Sequence, residues 1–465
     1  MKQLIAALGC TALLAGCAGT RPPAPPAPEL PEQWWGPTLP HQGQGGDLTT
    51  WWSRLGDPVL ADWIARAQLH SPSVAAARAN IAAARAAVSA TDVANGPQVA
   101  AVASASRGKP DAGTPTGNAL GVGLQASWVI DLWGQSAAEG ASVRAQQQAA
   151  EAGWHEARVV VAAELARLYV AQRLCQAQLA VAVSDRDSRA ATLRSSTVTE
   201  RAGLTAPAVL ALAQASHAEA QARTRAQSDQ CQRQRKGLVA LTALPEPVVQ
   251  AQLQPGWAPQ AMPALTVSAV PAEVLRQRPD VVRAQRELVA AGESAGAARA
   301  ALLPNLSLSG SVLRNRYSTS GGNTMFNTWS IGPLSLTLPL IGRSALTSNA
   351  DAAQARYEAA AVAYAATLRQ AVAEVEQALV TLDGLAQRLI ATEAAQAGYV
   401  KSFGATEARH RVGLANLNEL EDARRLRLNA ESSTIALQQE RFDAWVALYI
   451  ALGGGFDPAQ PQPTP

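Results

Sequence analysis

Two kinds of apolar pattern succeed one another along the chain. Gln135–Glu200 and Ser344–His410 each run for about 66 residues without proline, with apolar side chains spread at helical spacing among Ala, Gln, Arg and Glu. At 1.5 Å per residue each predicts a helix about 100 Å long. Leu165, Leu168, Gln172, Cys175, Leu179 and Ala182 fall three and four apart, a coiled-coil seam with one polar position. Strict alternation of Leu with Ser or Thr marks the second pattern, in Asn305–Leu313 and Ser330–Leu340. It predicts strands with one apolar and one polar face. Gln98–Ser106 and Gly121–Leu132 are their counterparts earlier in the chain, and polar, turn-rich Arg107–Asn118 and Arg314–Asn327 are expected as loops.

The patterns recur because the chain repeats itself. Pro72 in Leu69–Val74 answers to Pro279 in Arg276–Val281, 207 residues on, and Pro97 answers to Pro304 at the same offset. Gly134 meets Gly342 at 208, and Gly203 meets Gly413 at 210. A tandem duplication follows. Each half reads as a helical approach (Asp57–Ala94; Pro271–Leu302), a strand pair, a long helix, a glycine turn and a return helix. Pro58 and Pro271 sit near the helix starts, where a missing N–H costs little. The return helices are expected to run from Pro207 to about Leu244 and from beyond Gly413 to about Leu452, the latter stopped by Gly453–Gly455.

The two ends read differently. Lys2 and the short apolar Leu4–Leu14 lead into Leu14-Ala15-Gly16-Cys17, which resembles a bacterial lipoprotein cleavage box. Cys17 is then the first mature residue, carrying diacylglycerol and an N-acyl chain. Ala18, where an inner-membrane retention signal would have Asp, points to the outer membrane. The resulting map is a signal peptide over 1–16, a lipidated, proline-rich tether over 17–50, a first repeat over 51–254, a second over 255–452 and a disordered tail over 453–465. In the repeats the strand pairs occupy 98–132 and 305–340, and the hairpin tips lie near 203 and 413.

Composition narrows the class. A net charge of +3 over 465 residues and no concentrated basic face exclude a nucleic-acid partner. Hydrophobic residues make up 48% but aromatics only 5%, which suits closely packed alanine-rich helices. His41, His70, His155, His217 and His410 are scattered without metal-ligand spacing. With neither a phosphate-binding glycine loop nor a nucleophile elbow, nothing points to an enzyme, a metal or a cofactor beyond the lipid on Cys17. Apart from Cys10 in the signal peptide and the lipidated Cys17, only Cys175 and Cys231 remain, and they stand symmetrically about Gly203. An antiparallel turn there brings them face to face. A Cys175–Cys231 disulfide is therefore expected, with two buried free thiols as the alternative.

Several stretches resemble the outer-membrane factor (TolC-like) family, in its lipoprotein, OprM- or NodT-like branch. They are Trp51-Trp52 with Gly56-Asp57-Pro58, Arg278-Pro279-Asp280-Val281, Leu303–Leu308, Trp128–Gly134 and the paired Arg-x-Gly-Leu turns. The likeness covers nearly the whole mature chain. It departs at Val129, where the family usually has Glu, and at Pro339–Arg343, which is shorter than the usual form. The resemblance implies a mostly α protein with a small β part: tandem long helical hairpins plus four strands per protomer. Three protomers then form a 12-stranded β-barrel continued by an α-helical barrel, since four strands cannot close alone.

The implied function is an outer-membrane, lipid-anchored channel subunit of a tripartite efflux or secretion system. It would be a passive gated conduit working with a periplasmic adaptor and an inner-membrane pump. Arg201, Gly203 and Leu204, with Arg411, Gly413 and Leu414, are then adaptor-docking tips. A hairpin turn explains the glycines and part of the arginines, but not a leucine repeated at an exposed tip. Glu419 and Asp422 are implied as acids ringing the periplasmic aperture, although acids in a first helical turn are favoured by the dipole anyway. The rival is a lipid-anchored periplasmic adaptor or coiled-coil scaffold.

Overall fold

The computed structural model describes residues 31, 34–35, 51–52, 57–109, 113, 115–253 and 275–455. Cys17, the rest of the proline-rich tether, Pro271 and the tail beyond 455 lie outside the described residues. The elements are α1 (Pro58–His70), α2 (Pro72–Ala94), β1 (Gln98–Gly108), β2 (Gly117–Ile130), α3 (Gln135–Arg201), α4 (Pro207–Thr242) and α5 (Glu246–Gln252). The second half follows as α6 (Pro279–Ala300), β3 (Asn305–Thr319), β4 (Gly322–Thr337), α7 (Arg343–Arg411) and α8 (Leu417–Ala451). The halves repeat element for element, apart from the helical approach and the extra α5.

Several boundaries differ from expectation. The second approach, expected over Pro271–Leu302, breaks at Gln277–Arg278, and α6 starts only at Pro279. The approach Asp57–Ala94 is two helices, because Pro72 cannot continue the first and pushes Ser71 into extended backbone. The first return helix stops at Thr242, where Ala243 turns left-handed (φ 55°), and a short α5 follows. Most of the loop expected over Arg314–Asn327 is strand, since β3 and β4 pair from Thr319↔Gly322 inwards. Residues there are mostly polar on both faces, so no apolar alternation marks them as strand and only the pairing reveals it.

By compactness the described chain divides into two units, each made of pieces of both repeats. Ala77–Gly153 with Asp280–Thr367 hold the sheet. It is antiparallel throughout, in the order β1-β2-β3-β4, so β2↔β3 joins the repeats. Alternation and register set one face as Val99, Val122, Leu124, Trp128, Leu306, Leu308, Val312, Trp329, Ile331, Leu334 and Leu336. Most of these are widely exposed, Ile331 at 85% and Trp329 at 74%. Ser104, Gln125, Ser307, Ser311, Asn315, Thr328, Ser330 and Ser335 share the opposite face, together with Val102, Leu313 and Phe326. Ser311 bonds Ser330 (3.0 Å) there, and Asn315 donates to Thr328 (2.9 Å).

Gly332-Pro333 would reverse this alternation within β4. A bulge opposite Ser309 absorbs the extra residue, so Leu308 pairs with Leu334 after Gly310 has paired with Ile331. The bulge keeps Leu334 and Leu336 on the apolar face. At the foot of this unit small residues let helices pack closely. Ser142 donates to the Ala290 carbonyl (2.9 Å), and Leu288, Ala295, Ala353 and Tyr357 form a core cluster.

The second unit comprises the described residues of Glu29–Ala76, Trp154–Pro279 and Leu368–Pro465. The scarce aromatics gather here: Trp51 stacks on Trp445 (centroids 4.0 Å apart) and lies near Tyr449, with Trp52 and Phe442 beside them. Asp57 caps α1 at the Val59 amide (3.0 Å) and accepts a second bond from Tyr169, while Trp63 donates to Gln252 (2.7 Å). Arg278, from one of the repeated segments, is buried; it reaches the Ala451 carbonyl (3.0 Å) and Glu374 (2.7 Å), closing the C-terminus of α8.

Candidate functional site: the hairpin tips and the start of α8

Both tips are the same turn. Leu204 N–H donates to the Thr199 carbonyl and Gly203 N–H to Glu200; Leu414 N–H donates to Arg409 and Gly413 N–H to His410. These 6→1 and 5→2 bonds end a helix on a residue of positive φ, 71° at Gly203 and 78° at Gly413, which is why glycine stands there twice. The following leucine usually folds back onto the helix in this motif. Here Leu204 is 76% and Leu414 69% exposed, with Val412 beside it at 70%. Arg201 and Arg411 are exposed too, Arg411 lying 3.8 Å from Glu407. Each tip therefore offers an uncovered apolar side chain next to a cation.

The return helices start differently. α4 has Ala206 at its cap, without a side-chain bond, and Pro207 in the first turn. α8 opens with an Asn416 cap braced by Glu419: Glu419 N–H donates to Asn416 Oδ1 (2.9 Å), and the Asn416 side-chain amide donates to Glu419 Oε1 (2.9 Å). Arg409 lies 3.6 Å from the same carboxylate, and Asp422 pairs with Arg425 at 3.0 Å. Glu419 thus has a local helix-starting role beside any role at an aperture. The two acids stand three apart, on one face of α8, with side chains 46% and 66% exposed.

Sequence reading singled out Glu419 and Asp422 and passed over the residues between and just after them. Glu421 accepts from Arg424 (2.6 Å), Ser216 (3.0 Å) and Arg189. Arg189 is also held by Asp185 (2.9 Å), and Arg424 reaches Ser188 (2.9 Å) and Thr192 (2.8 Å). The side chains of Asp185, Arg189 and Arg424 are 3%, 7% and 1% exposed. Two acids and two guanidiniums thus alternate where α3, α4 and α8 meet. Burial draws the Arg424 guanidinium below its ordinary pKa, and Glu421 pulls it back. Below it, Ala213, Phe403, Leu417 and Leu420 make an apolar cluster joining the two hairpins, with Arg427 over the Phe403 ring at 4.2 Å. The sequence signal was the spacing Asp185-x₃-Arg189, one helical turn; its partner on α8 needed the fold.

Cys175 and Cys231 are bonded, with Cα atoms 5.6 Å apart, fastening α3 to α4. Leu385 stands 210 residues after Cys175 and packs on Leu437 and Ala444 instead, so the second hairpin has no staple there. Among the described residues no group of His, Cys, Asp and Glu could hold a metal, and no helix is long and apolar enough to cross a membrane.

Comparison with known proteins agrees with this geometry. The profile of a family described as outer membrane efflux protein matches residues 63–244 and 270–454, one block in each repeat. Nodulation protein T of Rhizobium leguminosarum bv. viciae is 26% identical over 88% of this chain and 85% of its own. Pyoverdine export outer membrane protein OpmQ of Pseudomonas aeruginosa is 27% identical over 98% and 97%. Among solved structures, a membrane protein from Pseudomonas aeruginosa superposes with a TM-score of 0.82 at 26% identity, over 94% of this chain and all of the other.

Proposed function

The chain belongs to the outer membrane efflux protein family, and on that premise we propose that it is one protomer of a trimeric, gated outer-membrane conduit. The observation that carries this reading is the four-stranded sheet with an exposed apolar face and two unpaired edges, β1 and β4. Bare edges are untenable in lipid, whereas three copies edge to edge close twelve strands. The serine-rich face then lines the lumen. Energy comes from an inner-membrane pump, coupled through a periplasmic adaptor that docks on Leu204 and Leu414 with Arg201 and Arg411. Glu419 and Asp422, three of each around one axis, form a cation-favouring constriction at the inner end. Cys17 carries the lipid anchor. The scaffold alternative finds no support: each repeat has its own strand pair before its hairpin, and the family profile spans both.

Conductance in planar bilayers tests the reading. The wild-type protein is expected to show small, cation-selective steps. Glu419→Gln with Asp422→Asn should raise conductance several-fold and weaken selectivity, because glutamine keeps the Asn416 cap and an acceptor for its amide while removing the charge. Particles without three-fold symmetry, or a double variant that conducts like wild type, would overturn the trimer or the gate respectively.

A further inference from the structure

The four strands contain three charged residues, all arginine: Arg107, Arg314 and Arg316. Register puts them together. Arg316 lies opposite Leu120 and Met325, Arg314 opposite Val122 and Asn327, and Arg107 opposite Asn118. Side chains in one cross-strand row share a face, so all three arginines stand on the apolar face and not on the serine-rich one. All three are exposed. No Asp or Glu occurs in any of the strands.

Their height matters as much as their face. The strand ends joined to helices carry Leu306, Leu336 and Ile130; the arginines lie at the opposite end, next to the hairpin turns. Leu306 to Arg314 is eight residues, about 27 Å along a strand. At a tilt of 35–45° this spans roughly 20 Å of height, close to the ~25 Å apolar band of outer-membrane barrels. The arginines thus begin where hydrocarbon ends. Arg314 and Arg316 are about 7 Å apart along β3; Arg107, two strands over in the row of Ser318, is about 12 Å from Arg316 and about 17 Å from Arg314.

We propose that Arg107, Arg314 and Arg316 form a binding site for the phosphate groups of outer-leaflet glycolipid. The inference rests on the proposed placement of the sheet in the outer membrane. A guanidinium binds phosphate bidentately and is weakly hydrated, so it suits a lipid–water boundary better than an ammonium. Charge complementarity selects the occupant: an acid-free cationic cluster directly above an apolar band matches an amphiphile with phosphates directly above its acyl chains.

Native mass spectrometry of the whole protein in mild detergent, titrated with lipid A bearing two phosphates and with the dephosphorylated lipid, tests this. The wild type is expected to favour the phosphorylated lipid about ten-fold. The preference should vanish in the triple variant R107Q/R314Q/R316Q and persist in Arg343→Gln, an exposed arginine at the other end of the sheet. Equal binding of both lipids by the wild type overturns the proposal without any variant, as does an undiminished preference in the triple variant. Displacement by millimolar inorganic phosphate would mean a free-anion site, which also overturns it. A protein that does not fractionate with outer membranes would instead remove the premise, so the two failures are distinct.

Discussion

Arg424 shows how much a single side chain can depend on its neighbours. Its side chain is 1% exposed, and its charge is tolerable because Glu421, Ser188 and Thr192 occupy two of its nitrogens. Removing Arg424 leaves Glu421 with Arg189 and Ser216 but puts the buried charges out of balance, which costs up to about 3–5 kcal/mol. Arg424→Ala should therefore lower the denaturation midpoint of the helical circular dichroism signal markedly. Glu421→Leu with Arg424→Met, which removes opposite charges together, should lose much less. At this scale the sequence was partly legible. Turn glycines and first-turn acids announce themselves by position, so Gly203, Gly413, Glu419 and Asp422 could be singled out from the residues alone. Glu421 looked like one more acid in a charged helix start, because its partners Arg189 and Ser216 are 232 and 205 residues away.

Among the elements, long helices declared themselves most clearly: both were placed within a residue of their ends, since a proline-free run bounded by glycine turns leaves little freedom. Strand ends were harder. Leu-Ser alternation marked the apolar heart of each strand, but the outer ends of β3 and β4 are polar on both faces and read as loop until their pairing is seen. The bulge at Gly332-Pro333 was hidden for the same reason, as it matters only relative to β3. The Cys175–Cys231 pair was visible through symmetry about the turn. Closing a 56-residue separation, it is expected to stabilise the first hairpin by about 4 kcal/mol on a chain-entropy account. Reduction under native conditions should accordingly shift the thermal midpoint of the wild type, and Cys175→Ser with Cys231→Ser should reproduce that shift and then be insensitive to reductant.

For the whole molecule, the duplication was evident in sequence while the compact units were not. Each unit mixes pieces of both repeats, because a half cannot bury its helices without its twin. Trp51 against Trp445 joins the first half to the second, while Arg278 against Ala451 ties the start of the second repeat to its end. The same unit holds two tyrosines that resist ionisation. Burial pushes Tyr449 up to about 12, against a hydrogen bond from Trp52. Tyr169 is raised as well, by burial first and by its bond to Asp57 second, with Arg173 opposing. A raised phenol pKa means that the native state prefers the neutral ring. The associated stability is complete below about pH 10, where an unfolded tyrosine ionises, and falls as pH rises through 10 towards 12. Alkaline titration should show two phenols ionising late, together with loss of helical signal.

The staple sits in one hairpin only. Two arms that began as copies of each other have thus become mechanically unequal: α3–α4 is cross-linked covalently, while α7–α8 at the matching level relies on Leu385 against Leu437 and Ala444. A duplicated machine part can divide its labour in this way, one copy becoming the post and the other the swinging door. In the conduit proposed above, opening at Glu419 and Asp422 is then the task of the unbonded arm, with the bonded arm as the frame against which it turns.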